Sequence, residues 1–326
     1  FAVATRIPVI LGPEGGHALV ADVVGLGSLN MDLVVRAEEM PRPGQTVHGE
    51  GFTTIPGGKG ANQAAAAARL GASVAMVGRV GRDAFGSDLL ANMRAQEVDV
   101  SHLRADPDAP SGIAMIIVDR QGENSIVVAP GANGRVSLDD LRRARELLGQ
   151  AKYLIMQFEI PLPVVRGAVE LACELGIEVI LNAAPAYPVG ADFLSGVTCL
   201  VVNESEAQAL TEVAVQDMGS AEEAGRALLR LGLPVAIVTL GAEGALLVTS
   251  GRGVHVPARQ VQVVDTTAAG DAFIGGLVAG LLRDFDWPEA VRLATCAGTL
   301  ATTVLGAQTS LPSAEQVQAF FQEGRP

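Results

Sequence analysis

The chain has 326 residues, 49% of them hydrophobic, and carries 36 acidic against 23 basic side chains, for a formal charge of −13. That much apolar material builds a substantial core, while so acidic a surface excludes nucleic acid and anionic membranes as partners, because nothing would offset phosphate repulsion. A site that handles phosphate must therefore be built locally, from backbone amides or a metal ion.

Residues 1–21 open at Phe1 and include Pro13, Gly15 and Gly16, without the basic stretch and unbroken apolar run of a signal peptide. They are expected to lie outside the folded unit, as a tag remnant, a misassigned start or a disordered extension, with one domain over 22–326. From Asp22 onward β-rich runs alternate with helical ones: a strand over 23–27, a helix over 60–70, a strand over 74–77 and a helix over 85–95. The alternation resumes with strands at 153–157, 178–181, 199–202 and 235–240, and helices at 163–175, 204–210 and 221–231. Strand and helix in turn predict an α/β fold, a mostly parallel central sheet with helices on both faces. Two stretches break the rhythm, 34–54 and 112–128, where alternating runs are split by turn formers such as Gln121 and Gly122. These are expected to form a small β-sheet lid. The chain closes with helices over 269–282 and 288–303, in which Gly275, Gly276 and Gly280 allow close packing. No apolar run reaches the ~20 residues of a membrane helix. Cys173, Cys199 and Cys296 lie far apart without metal-ligand spacing and are expected as buried small residues in a reducing, cytoplasmic compartment.

The residues that carry chemistry follow the same order. Gly25-Leu26-Gly27-Ser28-Leu29-Asn30 lacks the third glycine of a dinucleotide fingerprint, so no such site is expected. Asn30 and Asp32, two apart beyond the first strand, project to one side of an extended chain, at the strand end where α/β sheets bind ligands. Together they offer donor and acceptor to sugar hydroxyls; a plain turn would use them equally well. Gly57-Gly58-Lys59-Gly60-Ala61-Asn62 precedes an alanine-rich helix, where glycines let amides approach a ligand and Lys59 and Asn62 add donors. A flexible turn with a helix cap is the alternative. It is not a nucleotide P-loop, since Thr53 and Gly60 stand where that motif needs Gly and Ser or Thr.

Asn203-Glu204-Ser205-Glu206 follows a strand, and Glu206 is placed either to hold the water shell of Mg2+ or to cap a helix with Asn203. Thr239-Leu240-Gly241-Ala242-Glu243-Gly244 suits nucleotide contact. Asp265-Thr266-Thr267-Ala268-Ala269-Gly270-Asp271 follows a β-like run at 261–264 and opens a long helix. Its small residues leave the amides of Ala269, Gly270 and Asp271 free to converge on an anion, aided by the helix dipole. The Asp271 carboxylate beside them is placed to take a proton from an attacking hydroxyl while the amides stabilise charge on a phosphoryl group. Its other reading is a helix cap.

Together these segments resemble the ribokinase family of carbohydrate kinases over about 23–312, with that family's N-terminal signature across 57–81 and its C-terminal signature across 265–278. The resemblance implies sugar contacts from Asn30, Met31, Asp32, Gly58, Lys59, Gly60, Ala61, Asn62, Glu159 and Asp271, the last as catalytic base. It implies nucleotide contacts from Asn203, Thr239, Leu240, Gly241, Ala242, Glu243, Gly244, Ala269, Gly270 and Thr295, with Glu206 holding Mg2+ through water. A K+ site at Asp265, Thr267, Ala301, Val304, Gly306 and Ser310 would order the anion loop without joining the chemistry. The activity implied is transfer of the terminal phosphate of ATP to a primary hydroxyl of a small sugar, D-ribose at O5 in the first place, by a homodimer joined through the lid. A nucleoside kinase of the same fold would need an aromatic base platform, for which 4% aromatic residues offer few candidates. A catalytically silent sugar binder would not need Asp271. Three positions depart from the family's usual residues, Ala183 in place of Pro, Ala269 within an Ala-Ala-Gly-Asp variant and Thr295 in place of His, and they bear on the contacts to the base.

Overall fold

The computed structural model describes residues 21–251 and 253–323. Of the expected 1–21 extension only Ala21 is among them, and it is buried in the core; the rest lies outside the described residues. In chain order the strands are β1 (Val23–Leu26), β2 (Asn30–Ala37), β3 (Gly49–Gly57), β4 (Val74–Gly81), β5 (Asp99–Asp106), β6 (Gly112–Val118), β7 (Asn124–Ala129), β8 (Tyr153–Met156), β9 (Glu178–Asn182), β10 (Cys199–Asn203), β11 (Val235–Thr239), β12 (Ala245–Thr249) and β13 (Gly253–Val256).

Nine of them form one sheet in the order β13-β12-β11-β10-β9-β8-β1-β4-β5. From β11 to β5 every pairing is parallel, and only the β12 and β13 edge is antiparallel. Such strands need crossovers, and the helical runs supply them on both faces. One apolar layer includes Leu26, Leu154, Val165 and Leu200; the other includes Val23, Met76, Ile155 and Leu277. Alternate residues along β1 and β8 thus face opposite layers. The chain winds outward from β1 to β4 and β5, then returns to β8 and runs the other way, so the order reverses between β1 and β8. Ligands bind at the carboxyl ends of strands beside such a reversal.

The second sheet, β3-β2-β6-β7, is the expected lid. It begins earlier than 34: β2 starts at Asn30, pairs with Gly57 on β3 and Gly112 on β6, and grows out of β1 after three residues. Residues 261–264, read as a β-like run, form no strand; the Val264 and Asp265 amides bond instead to the Thr302 carbonyl. The pattern also missed β5, β12 and β13 and the helices Leu138–Arg143 and Arg145–Leu148. The first of these is an edge strand with polar residues on its outer positions, and β12 follows its antiparallel partner after one 3-10 turn, Gly241–Glu243, with no α-helix between.

Near the carboxyl edge two helices, Lys59–Arg69 and Ala269–Leu281, lie close together. A Cβ on Gly275 would stand 2.7 Å from backbone of Ala66 and Ala67, so a larger residue there would part the two helices. Among the described residues no helix is long and apolar enough to cross a membrane. Cys199 and Cys296 are buried free thiols, but Cys173 is exposed, because it falls outside the Val164, Val165, Ala168, Val169 and Ala172 stripe of its helix.

Candidate active site

Five adjacent parallel strands deliver polar residues at their carboxyl ends: Ser28 and Asn30 after β1, Gln157 and Glu159 after β8, Asn182 at the end of β9, Asn203 at the end of β10 with Glu206 beyond it, and Thr239 at the end of β11. Two helix starts close over them, that of Lys59–Arg69 with Asn62 and Gln63 and that of Ala269–Leu281 with Asp271.

Asp271 is buried, and each of its oxygens receives an amide: Asn62 Nδ2 donates to Oδ2 and Gln63 Nε2 to Oδ1, both at 2.9 Å. Burial pushes its pKa above the ordinary carboxylate value, against the pull of Lys59 and of the two donors. Lys59 in turn is raised, chiefly by the Asp271 charge, and stays an ammonium. A buried carboxylate without such company would be costly to ionise; here it is held ready to accept a proton.

Around Lys59 lies a basin of acceptors. Burial, with the charges of Glu159 and Asp271, pushes Asp32 up to about 7. Glu159 Oε2 accepts from the Ser28 hydroxyl and, at 3.2 Å, from the Lys59 amide. Asn30 Oδ1 accepts from Asn133 Nδ2 at 2.8 Å, and Asn133 also exchanges two bonds with the Leu29 backbone. Gly58 has φ of 90° and a Cβ there would meet the Asn30 amide at 2.7 Å, so glycine is required twice over. A Cβ on Gly57 would run into the Asp32 carboxylate. Carboxylates, a carboxamide and an ammonium converging in one place suit a ligand rich in hydroxyls, each of which both donates and accepts. Three of the residues expected here serve packing instead. Met31 points into the apolar layer because strand alternation turns it away from Asn30 and Asp32. Ala61 is in the same layer with its amide bonded to the Ser28 carbonyl, and a Cβ on Gly60 would collide with Gly27 and Ser28 backbone.

Beside Asp271 opens a cavity of about 440 Å3. Of the residues expected to touch nucleotide, Thr239, Gly241, Ala242, Gly244, Ala269, Gly270 and Thr295 line it. Leu240 is buried with its amide on the Gly244 carbonyl, and neither it, Glu243 nor Asn203 is on the wall. The stretch 258–261, Val263 and Phe273 add to a mostly apolar lining, with Thr266, Gly298, Thr299 and Thr302 beside them; apart from the β-like run at 261–264 the irregular stretch before the helix was not singled out, because it has no periodicity. At the mouth, Ala268 adopts a left-handed φ of 58° and starts the helix. The Ala269 amide bonds to the Thr266 carbonyl, so it is not part of the expected anion hole. The amides of Gly270 and Asp271 remain, in the first turn where no intrahelical carbonyl reaches them. Gly270 is exposed, with nothing within 4 Å of where its Cβ would be.

Asn203 and Glu206 form a capping box, Glu206 Oε2 accepting from the Asn203 amide at 2.9 Å and Asn203 Oδ1 from the Glu206 amide at 2.8 Å. Burial raises the Glu206 pKa. Among the described residues no three His, Cys, Asp or Glu side chains gather as a metal cage. Asp265 Oδ1 accepts from the Thr267 amide and hydroxyl, and Oδ2 from the Gly306 amide at 2.8 Å, which joins two of the expected cation segments. Burial would raise the Asp265 pKa, but these donors outweigh it and the group sits below its ordinary value. Ala301 ends its helix and Ser310, buried, donates to the Ala307 carbonyl; Val304 is half exposed.

Residues 20–314 match the family profile described as pfkB family carbohydrate kinase. The ribokinase of Haemophilus influenzae is 37% identical over 297 residues, 91% of this chain and 97% of that protein. The deoxyribokinase of Salmonella typhi is 37% identical over 307 residues, 92% and 98%. Among solved structures, Arabidopsis thaliana ribokinase complexed with ribose and ATP aligns with a TM-score of 0.86 at 29% identity, over 93% of this chain and 99% of that one.

Proposed function

Because the chain belongs to the pfkB family of carbohydrate kinases, we propose that it transfers the terminal phosphate of ATP to O5 of D-ribose, giving D-ribose 5-phosphate and ADP. One observation carries this reading: a buried carboxylate, Asp271, gripped on both oxygens, stands where a hydroxyl-binding basin meets a nucleotide-sized cavity and two unpaired helix amides. The names of the relatives and the ribose and ATP bound to the Arabidopsis protein support the choice of substrates.

In this reading the sugar binds through Asn30, Asp32, Lys59, Asn62 and Glu159, with the lid over it. Asp271 takes the proton of the O5 hydroxyl as that oxygen attacks the terminal phosphorus in line. The amides of Gly270 and Asp271 meet the charge growing on the phosphoryl oxygens, and most of the acceleration comes from positioning and charge stabilisation. Asn203 belongs to the nucleotide side with the cavity residues. Mg2+, when bound, neutralises phosphate charge; Glu206 would hold one of its waters, since its Oε1 is not used in the capping box and Mg2+ needs few protein carboxylates. K+ would take carbonyl oxygens near Asp265, Thr267, Ala301, Val304, Gly306 and Ser310, and the Asp265–Gly306 bond brings that loop together for it. We assign residues 22–326 to one kinase domain acting in the cytoplasm, in keeping with its free thiols. A second copy would cover the lid face that exposes Phe52, Met115 and Val127.

The test is ATP consumption with ribose, 2-deoxyribose, fructose and adenosine, with and without K+, by this protein and by Asp271→Ala. Ribose turnover lost in the variant, with sugar binding kept, supports the reading. Turnover with 2-deoxyribose or another acceptor alone would move the substrate and keep the mechanism, and tight sugar binding without turnover in either protein would sink the kinase.

A further inference from the structure

Behind the catalytic carboxylate lies a chain of carboxamides, two buried glutamines and the half-buried Asn182, that is not on the cavity wall. We infer that Gln63 is a positioning residue for Asp271, and that Gln157 acts on the same carboxylate at one remove, by holding the Gln63 carboxamide from its Oε1 side.

Both glutamines have no exposed surface. Gln63 Nε2 donates to Asp271 Oδ1 at 2.9 Å and to Asn182 Oδ1 at 3.1 Å, while Gln63 Oε1 accepts from Gln157 Nε2 at 2.6 Å. The direction of these bonds is set from outside. Asn182 donates its own nitrogen to the Val201 carbonyl at 3.1 Å, so its oxygen faces Gln63. Gln157 presents its nitrogen from the other side, and since its own Oε1 has no hydrogen-bond partner among the described residues, Asp271 and Asn182 set the direction and Gln157 completes it. A Gln63 amide turned over would put an oxygen against the Asp271 carboxylate and the Asn182 oxygen, and a nitrogen against the nitrogen of Gln157. The first two contacts are repulsive, the third is so while Gln157 keeps its orientation, and burial makes each costlier than it would be in water. Gly27 makes the arrangement possible, since any Cβ there would collide with Gln157 Oε1.

Two adjacent residues therefore divide the labour on Asp271. Asn62 holds Oδ2 from the side of the glycine loop, and Gln63 holds Oδ1 from the interior. A base held on one oxygen only would swing about that bond, and a displacement of about 1 Å costs on the order of a hundredfold in rate. Gln63 and Gln157 thus set the orientation of the carboxylate without touching sugar or nucleotide.

This inference rests on the reading of Asp271 as the base. Its test uses Gln63→Met, Gln157→Met and the double variant, because methionine keeps the length and volume of glutamine and removes its donor. With ribose and ATP, Gln63→Met should lower kcat by on the order of tenfold to a hundredfold, as for a lost bond to a charged group. KM for both substrates should be unchanged, and calorimetric ribose stoichiometry should stay near that of the parent protein, which a merely structural defect would reduce. Gln157→Met should lower kcat less, and should have no further effect in the Gln63→Met background, since it acts only through Gln63. Unchanged kcat in Gln63→Met, a loss confined to KM, or an undiminished Gln157→Met effect in the double variant each overturns the inference while leaving the kinase in place. If Gln63→Met does not fold, Gln157→Met alone decides, by whether kcat falls at constant KM. A parent protein that turns over no sugar overturns the proposed function and this inference with it.

Discussion

Asn62 Nδ2 lies 2.9 Å from Asp271 Oδ2, a bond that spans 209 residues and ties the helix behind the glycine loop to the helix behind the Asp265 loop. Asn62 holds the carboxylate, and in the proposed reading it contacts the sugar as well. Asn62→Ala should therefore lower kcat and raise the KM for sugar together, by about tenfold in each, while the KM for ATP stays put. Steady-state kinetics with each substrate varied in turn checks this, and an effect on ATP alone would contradict the shared role.

Asp271→Asn keeps the shape and removes the base. Turnover should fall by on the order of a hundredfold to ten-thousandfold, with sugar affinity kept in calorimetry. In the parent protein activity needs the ionised form, whose pKa burial raises while Lys59, Asn62 and Gln63 oppose. The acid limb of kcat/KM should accordingly lie above the ordinary carboxylate range, activity falling as pH drops through it. A limb near the value of a free aspartate would contradict the burial argument.

Asp32 makes stability depend on pH. Its pKa is 3.8 in an unfolded chain and about 7 in the fold, so between these values the native state holds the extra proton. Its contribution to stability is present at low pH, declines as pH rises through that window and is lost above about 7. Asp32→Asn removes the penalty, so its Tm advantage over the parent should be larger at pH 8 than at pH 4.5, while sugar affinity falls at both. Equal Tm differences at the two pH values would show that Asp32 is not burdened in this way.

Gly270 separates folding from function. A Cβ there meets no protein atom within 4 Å and the backbone is already helical, so Gly270→Ala should leave Tm unchanged or raise it slightly, by the ~0.5–1 kcal/mol that alanine gains over glycine in a helix. The methyl would stand where the transferred phosphoryl group is expected. Turnover should drop at least tenfold while the melting curve does not suffer; full activity in this variant would place the phosphate elsewhere.

The exposed lid residues test assembly. Val127 is 60% exposed on β7, so Val127→Asp should not disturb a lone chain. It should turn a dimer into a monomer in light scattering, because a carboxylate buried in an apolar interface lacks a partner. A parent protein that is monomeric at micromolar concentration would remove the lid-to-lid dimer from the proposal.

Much of this site is legible in the sequence because its chemistry is local. Gly57 to Asn62 and Asp265 to Asp271 are short runs in which glycines, small residues and a helix start make a ligand loop by themselves, and periodicity places them at the ends of strands. The capping box of Asn203 and Glu206 was one of two uses open to those residues, and its bonds are present. Whether Glu206 also serves Mg2+ is a matter of what lies opposite it, which no local pattern encodes.

The alternation of strand and helix, the lid's hairpins and the position of Asp271 at a helix start were thus determined by the sequence alone, since they follow from backbone propensity and the facing of side chains within a few residues. Tertiary structure decided the rest. Gln63, Gln157 and Asn182 are unremarkable polar residues in their own segments, and become one network only when β8 and β9 lie beside the helix that begins at Lys59. The turn of Met31 and Ala61 into the core and the shaping of a cavity by residues 258–261 and Val263 were likewise settled there. The physical reason is range: hydrogen bonds and packing act over a few ångströms in space, and the residues they join here stand far apart along the chain.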